Sequence, residues 1–433
     1  MIDYSARNIY VNSMLSVIYK IFSMGASFIT VPLILHCLGT EKYGVWASVL
    51  SLISWIYYLD LGIGGGLRNK LAESLAQRNI IKANGYLNTA YFMLGILCIV
   101  VIVIMASILC FYDVKQWLNY SAYDENINLV VLTALAFACV NFVAALVNNI
   151  FYATQQASQV SLYNLLGQIF FAIGLVGYLF LGIHELLWIS ILEGISQFLK
   201  NAIETFCALK KFPLLRFSIT SISTKYSRGV IVFGAQLFIM QIAALTLNCT
   251  DNLIIAKYFG AADVTVYSLC FKYFGMIQAF FVVLITPLYS AYTAAYTKRD
   301  IKKIRHMLWE SLCIYTLFIG GTIVGIIIFP WFLRIWLNME INVPYSLTLL
   351  IAIYFILLMF THCFSTFING IGKIQETIIV FMAEATINVP LSIYLAVGCD
   401  MGINGVILGS IGVTSIAAIA YPYIALKILR EMR

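Results

Sequence analysis

Apolar residues in this chain run for twenty or more positions at a time and are separated by short polar segments. A helix needs about 20 such residues to cross the hydrocarbon core of a bilayer. Windows of that size place spans near residues 10–37, 44–66, 85–111, 127–152, 160–182, 184–208, 227–257, 264–291, 307–331, 345–370, 375–398 and 402–428. The expected fold is therefore an all-α integral membrane protein of about twelve transmembrane helices. Pro32 and Pro287 fall inside spans, where a missing N–H and a ring clash predict kinks.

Composition strengthens that reading. The chain is 62% hydrophobic and 10% charged, against about 25% charged in soluble domains. Its polar stretches are loop-sized, so no soluble domain is expected. The segment MIDYSARNIYVNS is polar, and the apolar run after it continues to Cys37. That run is too long for the core of a signal peptide, so the first helix is expected to stay in the mature protein. The ten cysteines form no CxxC pair and read as small apolar packing residues. His36, His184, His306 and His362 are scattered, without the HExxH spacing that would support metal catalysis.

Lysine and arginine set the orientation, because basic loops stay on the cytoplasmic side. With the N-terminus inside, nineteen of the 26 basic residues fall in cytoplasmic segments and four, Lys42, Lys115, Lys257 and Arg334, fall outside. Lys20, Lys200 and Lys272 lie within spans. Both termini are expected in the cytoplasm, and the net charge of +7 is a topology signal that calls for no nucleic acid.

The two halves resemble one another at a nearly fixed offset. Residues 38–46 (LGTEKYGVW) align with 259–267 (FGAADVTVY), and 78–87 (RNIIKANGYL) with 299–308 (RDIKKIRHML), both at 221. Residues 181–187 (LGIHELL) align with 401–407 (MGINGVI) at 220. The unit is six spans, giving an N-terminal lobe over residues 1–215 and a C-terminal lobe over 216–433, with the loop 209–226 as linker. Six spans is an even number, so both copies insert the same way up, as in transporters built on parallel repeats.

Ionisable groups inside a span cost at least about 2.5–3.5 kcal/mol and usually face a cavity or a partner. Asn12, Ser16, Lys20, Ser23 and Ser27 share one face of the first helix. Gln241, Asn248, Asp251 and Asn252 gather on the seventh, Lys272 lies on the eighth, and Glu384 and Asn388 are one turn apart on the eleventh. For serine and asparagine the competing role is helix–helix packing, and a lysine stem can snorkel to the interface. Lys20 and Lys272, one from each lobe, suggest an anionic substrate group such as phosphate. A buried aspartate beside asparagines suggests a coupling cation, Na⁺ or H⁺, or an ion pair with a lysine. Asp60 and Arg68 flank the glycine-rich end of the second span, LDLGIGGGLRNK, which lacks the GK[ST] ending of a nucleotide loop.

The segments LDLGIGGGLRNKLAE, TDNLIIAKYFGAADVTVYSLCFK, ITPLYSAYTAAYTKRDIKKI and FINGIGKIQ, in that order, resemble the Wzx-type O-antigen and polysaccharide-unit flippases. These belong to the multidrug/oligosaccharidyl-lipid/polysaccharide, MATE-like, exporter superfamily. The resemblance implies a V-shaped pair of six-helix lobes with alternating access. It implies export of an undecaprenyl-pyrophosphate-linked oligosaccharide from the cytoplasmic to the periplasmic leaflet of a bacterial inner membrane. It assigns substrate binding to Lys20, Lys272 and Arg68, and cation coupling to Asp251. Asn248, Asn252, Asp60 and Glu384 are the further cation-coupling or cavity candidates, read from their polar side chains within or beside the spans. Lipid-linked oligosaccharide, membrane lipid and the polysaccharide polymerase machinery are the implied partners. No cofactor is expected beyond a coupling Na⁺ or H⁺. The alternative of the same architecture is a multidrug/cation antiporter, which would use acidic cavity residues such as Asp251 and Glu384. A polymerase or ligase is disfavoured, because the longest outside loop, 112–126, has one lysine and neither arginine nor histidine.

Overall fold

The computed structural model describes the backbone of residues 6–58, 62–118, 120 and 125–432. It describes their side chains except at 6–10, 58, 228–240, 244, 248 and 290. Asp60 and the side chain of Asn248 therefore lie outside the described residues. Every regular element described is helical.

The N-terminal half holds α1 (Ala6–Tyr58), α2 (Ile63–Ala76), α3 (Ile80–Phe111), the single turn α4 (Val114–Trp117), α5 (Ile127–Ala144), α6 (Asn148–Ala153), α7 (Ala157–Phe180) and α8 (Leu186–Lys211). After it come α9 (Thr224–Tyr258), α10 (Ala261–Thr297), α11 (Ile301–Leu337), α12 (Tyr345–Gly370), α13 (Ile374–Ile393) and α14 (Gly402–Glu431). Among the described residues, each of the twelve expected spans falls largely on helix. The first two share α1, which breaks at Gly39 (φ 76°). Among the described residues, nine helical stretches are long and apolar enough to cross a membrane by length and composition. The 47-residue stretch Val11–Tyr57 counts once in that set, although its length suffices for two crossings. The helix α8 falls outside the set because Glu193, Lys200 and Glu204 interrupt its apolar run. Pro32 and Pro287 are carried within helices, and the break in α1 falls at the glycine, which reaches positive φ without a Cβ penalty.

The chain divides into two compact units, Met1–Ile242 and Ala243–Arg433. In the first, α1 packs along α7, α5 and α7 pack on α8, and α3 packs on α2 and α5. Its core gathers Leu67, Leu71, Leu87, Leu94, Ile150 and Phe151. In the second, α12 is central, packing on α10, α11 and α14, while α13 pairs with α14. Tyr292, Ile304, Phe367 and Ile368 anchor one core cluster there, and Phe281, Met359 and Cys363 another. The outer surfaces are covered with large apolar side chains, among them Phe180, Leu317, Ile327 and Ile419. A lipid solvent tolerates that coat, and continuous helices satisfy their own backbone groups within it.

The internal duplication reappears in the backbone. Gly39 and Gly260, at offset 221, both take positive φ where one helical stretch hands over to the next. Gly182 and Gly402, at offset 220, do so again, with φ of 63° and 60°. Asn79 caps α3 by accepting from Lys82 N–H at 3.0 Å, and Asp300 caps α11 by accepting from Lys303 N–H at the same distance. A fourth pair carries no visible sequence match. The turn Thr154–Gln156 repeats at Ile371–Lys373, offset 217, with positive φ at Gln155 and Gly372 and the same pair of closing hydrogen bonds.

Candidate functional site

Asp251 sits in the last third of α9 and is 5% exposed. Its Oδ2 accepts from Tyr267 Oη of α10 at 2.5 Å and from Ser410 Oγ of α14 at 3.2 Å. Asn388 of α13 donates to Ser410 Oγ at 3.1 Å, so one hydrogen-bonded chain ties α13, α14, α9 and α10 together. Two oxygens of this chain, Asp251 Oδ1 and Asn388 Oδ1, have no hydrogen-bond partner among the described residues. Glu384 lies one helical turn before Asn388 and is 4% exposed. The buried Tyr354 of α12 is within electrostatic reach of both Asp251 and Glu384.

Two acidic groups, an amide oxygen and several hydroxyls thus converge inside the second unit. Unpartnered buried oxygens carry a cost that a proton or a hard cation would relieve. Oxygen-only donor sets suit hard cations. The close approach of α13 and α14 depends on glycine. A Cβ on Gly409 would come within 2.7 Å of Ser392 Cα and 2.8 Å of its N.

The remaining predicted positions are distributed as follows. Asn252 is half-buried and makes contacts of its own. Lys272 is half-buried with an interaction partner, Lys20 is exposed on α1, and Arg68 is exposed on α2. The Arg68 guanidinium lies 5.0 Å from the Tyr152 ring centroid, a cation–π contact. Lys20 and Arg68 belong to the first unit and Lys272 to the second. Part of the polar face of α1 is a packing seam. Ser158 of α7 donates to Asn12 Oδ1, and Ser16 Oγ lies 2.7 Å from Ser161 Oγ.

The first unit has a polar interior that single-residue reading passes over. On α8 the positions Ser190, Glu193, Gln197, Lys200, Asn201 and Glu204 form one stripe, and it is the inward stripe. Ile195, Phe198, Leu199 and Phe206 occupy the outward face. Lys200 is 4% exposed and Glu204 fully buried, with Nζ 3.6 Å from Oε2. Lys200 also donates to Asn164 Oδ1 of α7 at 3.2 Å. Asn201 donates to Asn141 Oδ1 of α5 at 3.0 Å, and Asn141 donates to the Gly194 carbonyl at 3.0 Å. The signal in the sequence is the spacing of those six positions, which repeats at helical period.

Comparison with known proteins agrees with this architecture. The family described as polysaccharide biosynthesis protein matches residues 9–293, and the MatE family matches residues 237–394. A protein of Salmonella typhimurium named "Putative O-antigen transporter" is 22% identical over 399 residues, covering 90% of each chain. Its namesake in Salmonella typhi is 21% identical over 409 residues, with the same coverage. Among solved structures, an inward-facing multidrug resistance MATE family transporter of the MOP superfamily superposes with a TM-score of 0.80 at 14% identity, over 97% of this chain and 98% of that one. A MOP superfamily transporter from Pyrococcus furiosus, described as having a binding pocket of reverse polarity, gives 0.65 at 15% identity, over 97% and 96%. At such identities the likeness establishes the fold and leaves the activity to the site residues. By the match over more than half its length, the chain belongs to the polysaccharide biosynthesis protein family, and it has the fold of the MATE transporters.

Proposed function

We propose that the protein is a flippase that carries an undecaprenyl-pyrophosphate-linked oligosaccharide, an O-antigen or related repeat unit, from the cytoplasmic to the periplasmic leaflet by alternating access. The observation that carries this reading is the family match over residues 9–293. Two relatives that share 90% of the chain and are named as O-antigen transporters support it. In this reading Lys20, Lys272 and Arg68 supply fixed positive charge for the pyrophosphate. The residues around Asp251, with Glu384, Asn248 and Asn252, take up the coupling Na⁺ or H⁺, and Asp60 lines the cytoplasmic mouth. In this reading the protein resides in the bacterial inner membrane, and the excess of lysine and arginine in the loops assigned to the inside supports cytoplasmic termini. It delivers its cargo to the polysaccharide polymerase machinery.

The MatE match over 237–394 favours a second reading, a multidrug or cation antiporter using Asp251 and Glu384. A gene deletion separates the two. A flippase leaves lipid-linked repeat units accumulated on the cytoplasmic leaflet, whereas an antiporter leaves their distribution unchanged and raises drug sensitivity. Lys20→Ala and Lys272→Ala should abolish surface polysaccharide while the protein persists in the membrane. Full polymer display by both variants would remove those lysines from the substrate site.

A further inference from the structure

The segment that joins the two halves is fastened to the first unit along its length. Asn84 of α3 donates to the Leu214 carbonyl and accepts from Arg216 N–H, both at 3.0 Å. One turn on, Asn88 donates to the Arg216 carbonyl at 3.0 Å and accepts from Ser218 N–H at 3.1 Å. Thr89 Oγ1 accepts from Ser223 N–H at 3.2 Å. The Phe217 ring meets Tyr91 edge-on with centroids 4.9 Å apart, and Tyr226 meets Tyr86 at the same distance. Residues 214–223 are therefore a strap laid across α3.

An open groove of about 520 Å³ runs between this strap and α3, α5 and α8. Phe92, Ala144, Thr205, Phe217, Ile219 and Ile222 are among its lining. We infer that the groove docks an anionic phospholipid of the surrounding bilayer, with an acyl chain along the groove and the headgroup phosphate on the basic residues of the strap and its flanks. The inference does not depend on which cargo is carried.

Three observations select this occupant. The first is apolar surface that the fold cannot hide. Leu214, Phe217 and Ile219 are 62%, 44% and 86% exposed, and Phe92 and Phe206 beside the groove are exposed as well. The hydrogen bonds to α3 fix the strap, so these side chains cannot be turned inward. A contiguous exposed apolar patch marks a contact surface.

The second is that the polar lining is already engaged. Asn88 gives its amide hydrogens to the Asn84 and Arg216 carbonyls, and its oxygen accepts from Ser218. Thr205 donates to the Asn201 carbonyl at 2.8 Å, and Ser218 Oγ lies 2.7 Å from Thr220 Oγ1. An acyl chain asks for no hydrogen bonds from such a wall, whereas a sugar does.

The third is charge. Lys210 and Lys211 close α8, Arg216 lies in the strap and Lys225 falls in the first turn of α9, all of them exposed. None of the four takes part in the ion pairs found among the described residues. The sequence holds no acidic residue between Glu204 and Asp251. Arg216 gives Nε–H to the Pro213 carbonyl at 3.4 Å, which leaves its terminal nitrogens to meet a phosphate. Basic clusters flanking membrane helices attract anionic lipid, each residue strengthening the attraction about fivefold.

Other occupants satisfy only part of this. A nucleotide or free phosphate would meet the cations and leave the apolar strap uncovered. A pyrophosphate-linked glycan shares the anionic head, but its sugars would face the spent hydrogen bonds of Asn88 and Thr205.

The test uses purified full-length protein in neutral detergent, offered equal amounts of phosphatidylglycerol and phosphatidylcholine and read by native mass spectrometry. Wild type should retain phosphatidylglycerol at least tenfold over phosphatidylcholine. The triple variant Lys210→Gln, Lys211→Gln, Arg216→Gln should lose that preference at least tenfold, with thermal unfolding within a few degrees of wild type. The charge-conserving variant Lys210→Arg, Lys211→Arg should keep it. On wild type alone, a phosphatidylglycerol with a photoactivatable acyl chain should label peptides containing Phe92, Phe217 or Ile222. Equal retention of the two lipids, an unchanged preference in the triple variant, or labelling confined to other helices would overturn the site. Displacement of phosphatidylglycerol by equimolar undecaprenyl phosphate would assign the groove to the cargo, and would likewise overturn it.

Discussion

Arg78 and Arg299 stand 221 positions apart and share one backbone state, left-handed, with φ of 54° and 53°. Each follows a helix end closed in the same way. Asn79 N–H donates to the Ser74 carbonyl and Asp300 N–H to the Ala295 carbonyl, both at 2.9 Å, as in a Schellman turn. A non-glycine residue pays about 1–2 kcal/mol for that conformation, so its recurrence at equivalent places shows one turn design used twice.

Glycines at the matching turns test the cost directly. No atom lies within 4 Å of a Cβ built on Gly182 or Gly402, and both have positive φ. Backbone strain is then the only penalty for Gly182→Ala and Gly402→Ala, about 1–2 kcal/mol each. Arg78→Gly and Arg299→Gly should shift stability the other way by a similar or smaller amount. Thermal unfolding of purified protein in detergent reads all four. A large difference within either pair would mean that the turns are not equivalent in energy.

Asp251→Asn preserves shape and hydrogen-bonding reach while removing the charge. If the chain from Asn388 through Ser410 to Asp251 takes up the coupling cation, the variant should remain folded and lose the dependence of transport on Na⁺ or pH gradients. Tyr267→Phe removes the donor to Asp251 Oδ2 and should shift the gradient dependence without erasing it. Transport by reconstituted protein under imposed gradients is the measurement, and an unchanged gradient response in Asp251→Asn would remove this residue from coupling.

Helix existence and the twofold repeat were legible from sequence because both depend on long, regular patterns. Twenty-residue apolar runs are insensitive to small boundary errors, and three repeat matches kept nearly the same offset. The Asp251 site was half legible. A carboxylate in a span stands out, but its partners Tyr267 and Ser410 come from other helices 16 and 159 positions away. Glu204 was missed for a different reason. It lies on the polar stripe of α8, and amphipathic helices usually turn that stripe toward water. In lipid the preference inverts, and the polar face becomes the buried one.

Gly409→Ala probes how tightly the Asp251 chain is held. The added methyl meets the backbone of Ser392, which cannot yield as a flexible side chain would. Separating α13 from α14 should destabilise the protein by about 1–3 kcal/mol. It should also carry Ser410, the next residue, away from Asn388 and Asp251 and weaken gradient coupling. Normal coupling together with lowered stability would show that the Ser410 bridge has no part in it.

The buried pair Lys200–Glu204 gives the sharpest energetic test of the first unit. Breaking a buried pair by removing one partner costs about 3–5 kcal/mol, because the other charge is left uncompensated. Lys200→Met strands Glu204, whose carboxylate oxygens have no hydrogen bond among the described residues, so it should be severe. Glu204→Gln leaves Lys200 its bond to Asn164 Oδ1 and should be milder. Replacing both, Lys200→Met with Glu204→Gln, removes the charge and its counter-charge together and should recover much of the loss. The double-mutant cycle, read by thermal unfolding in detergent, should therefore show a coupling of several kcal/mol. Simple additivity would mean that the two side chains do not depend on one another, and that Asn164 and surrounding dipoles already satisfy the lysine.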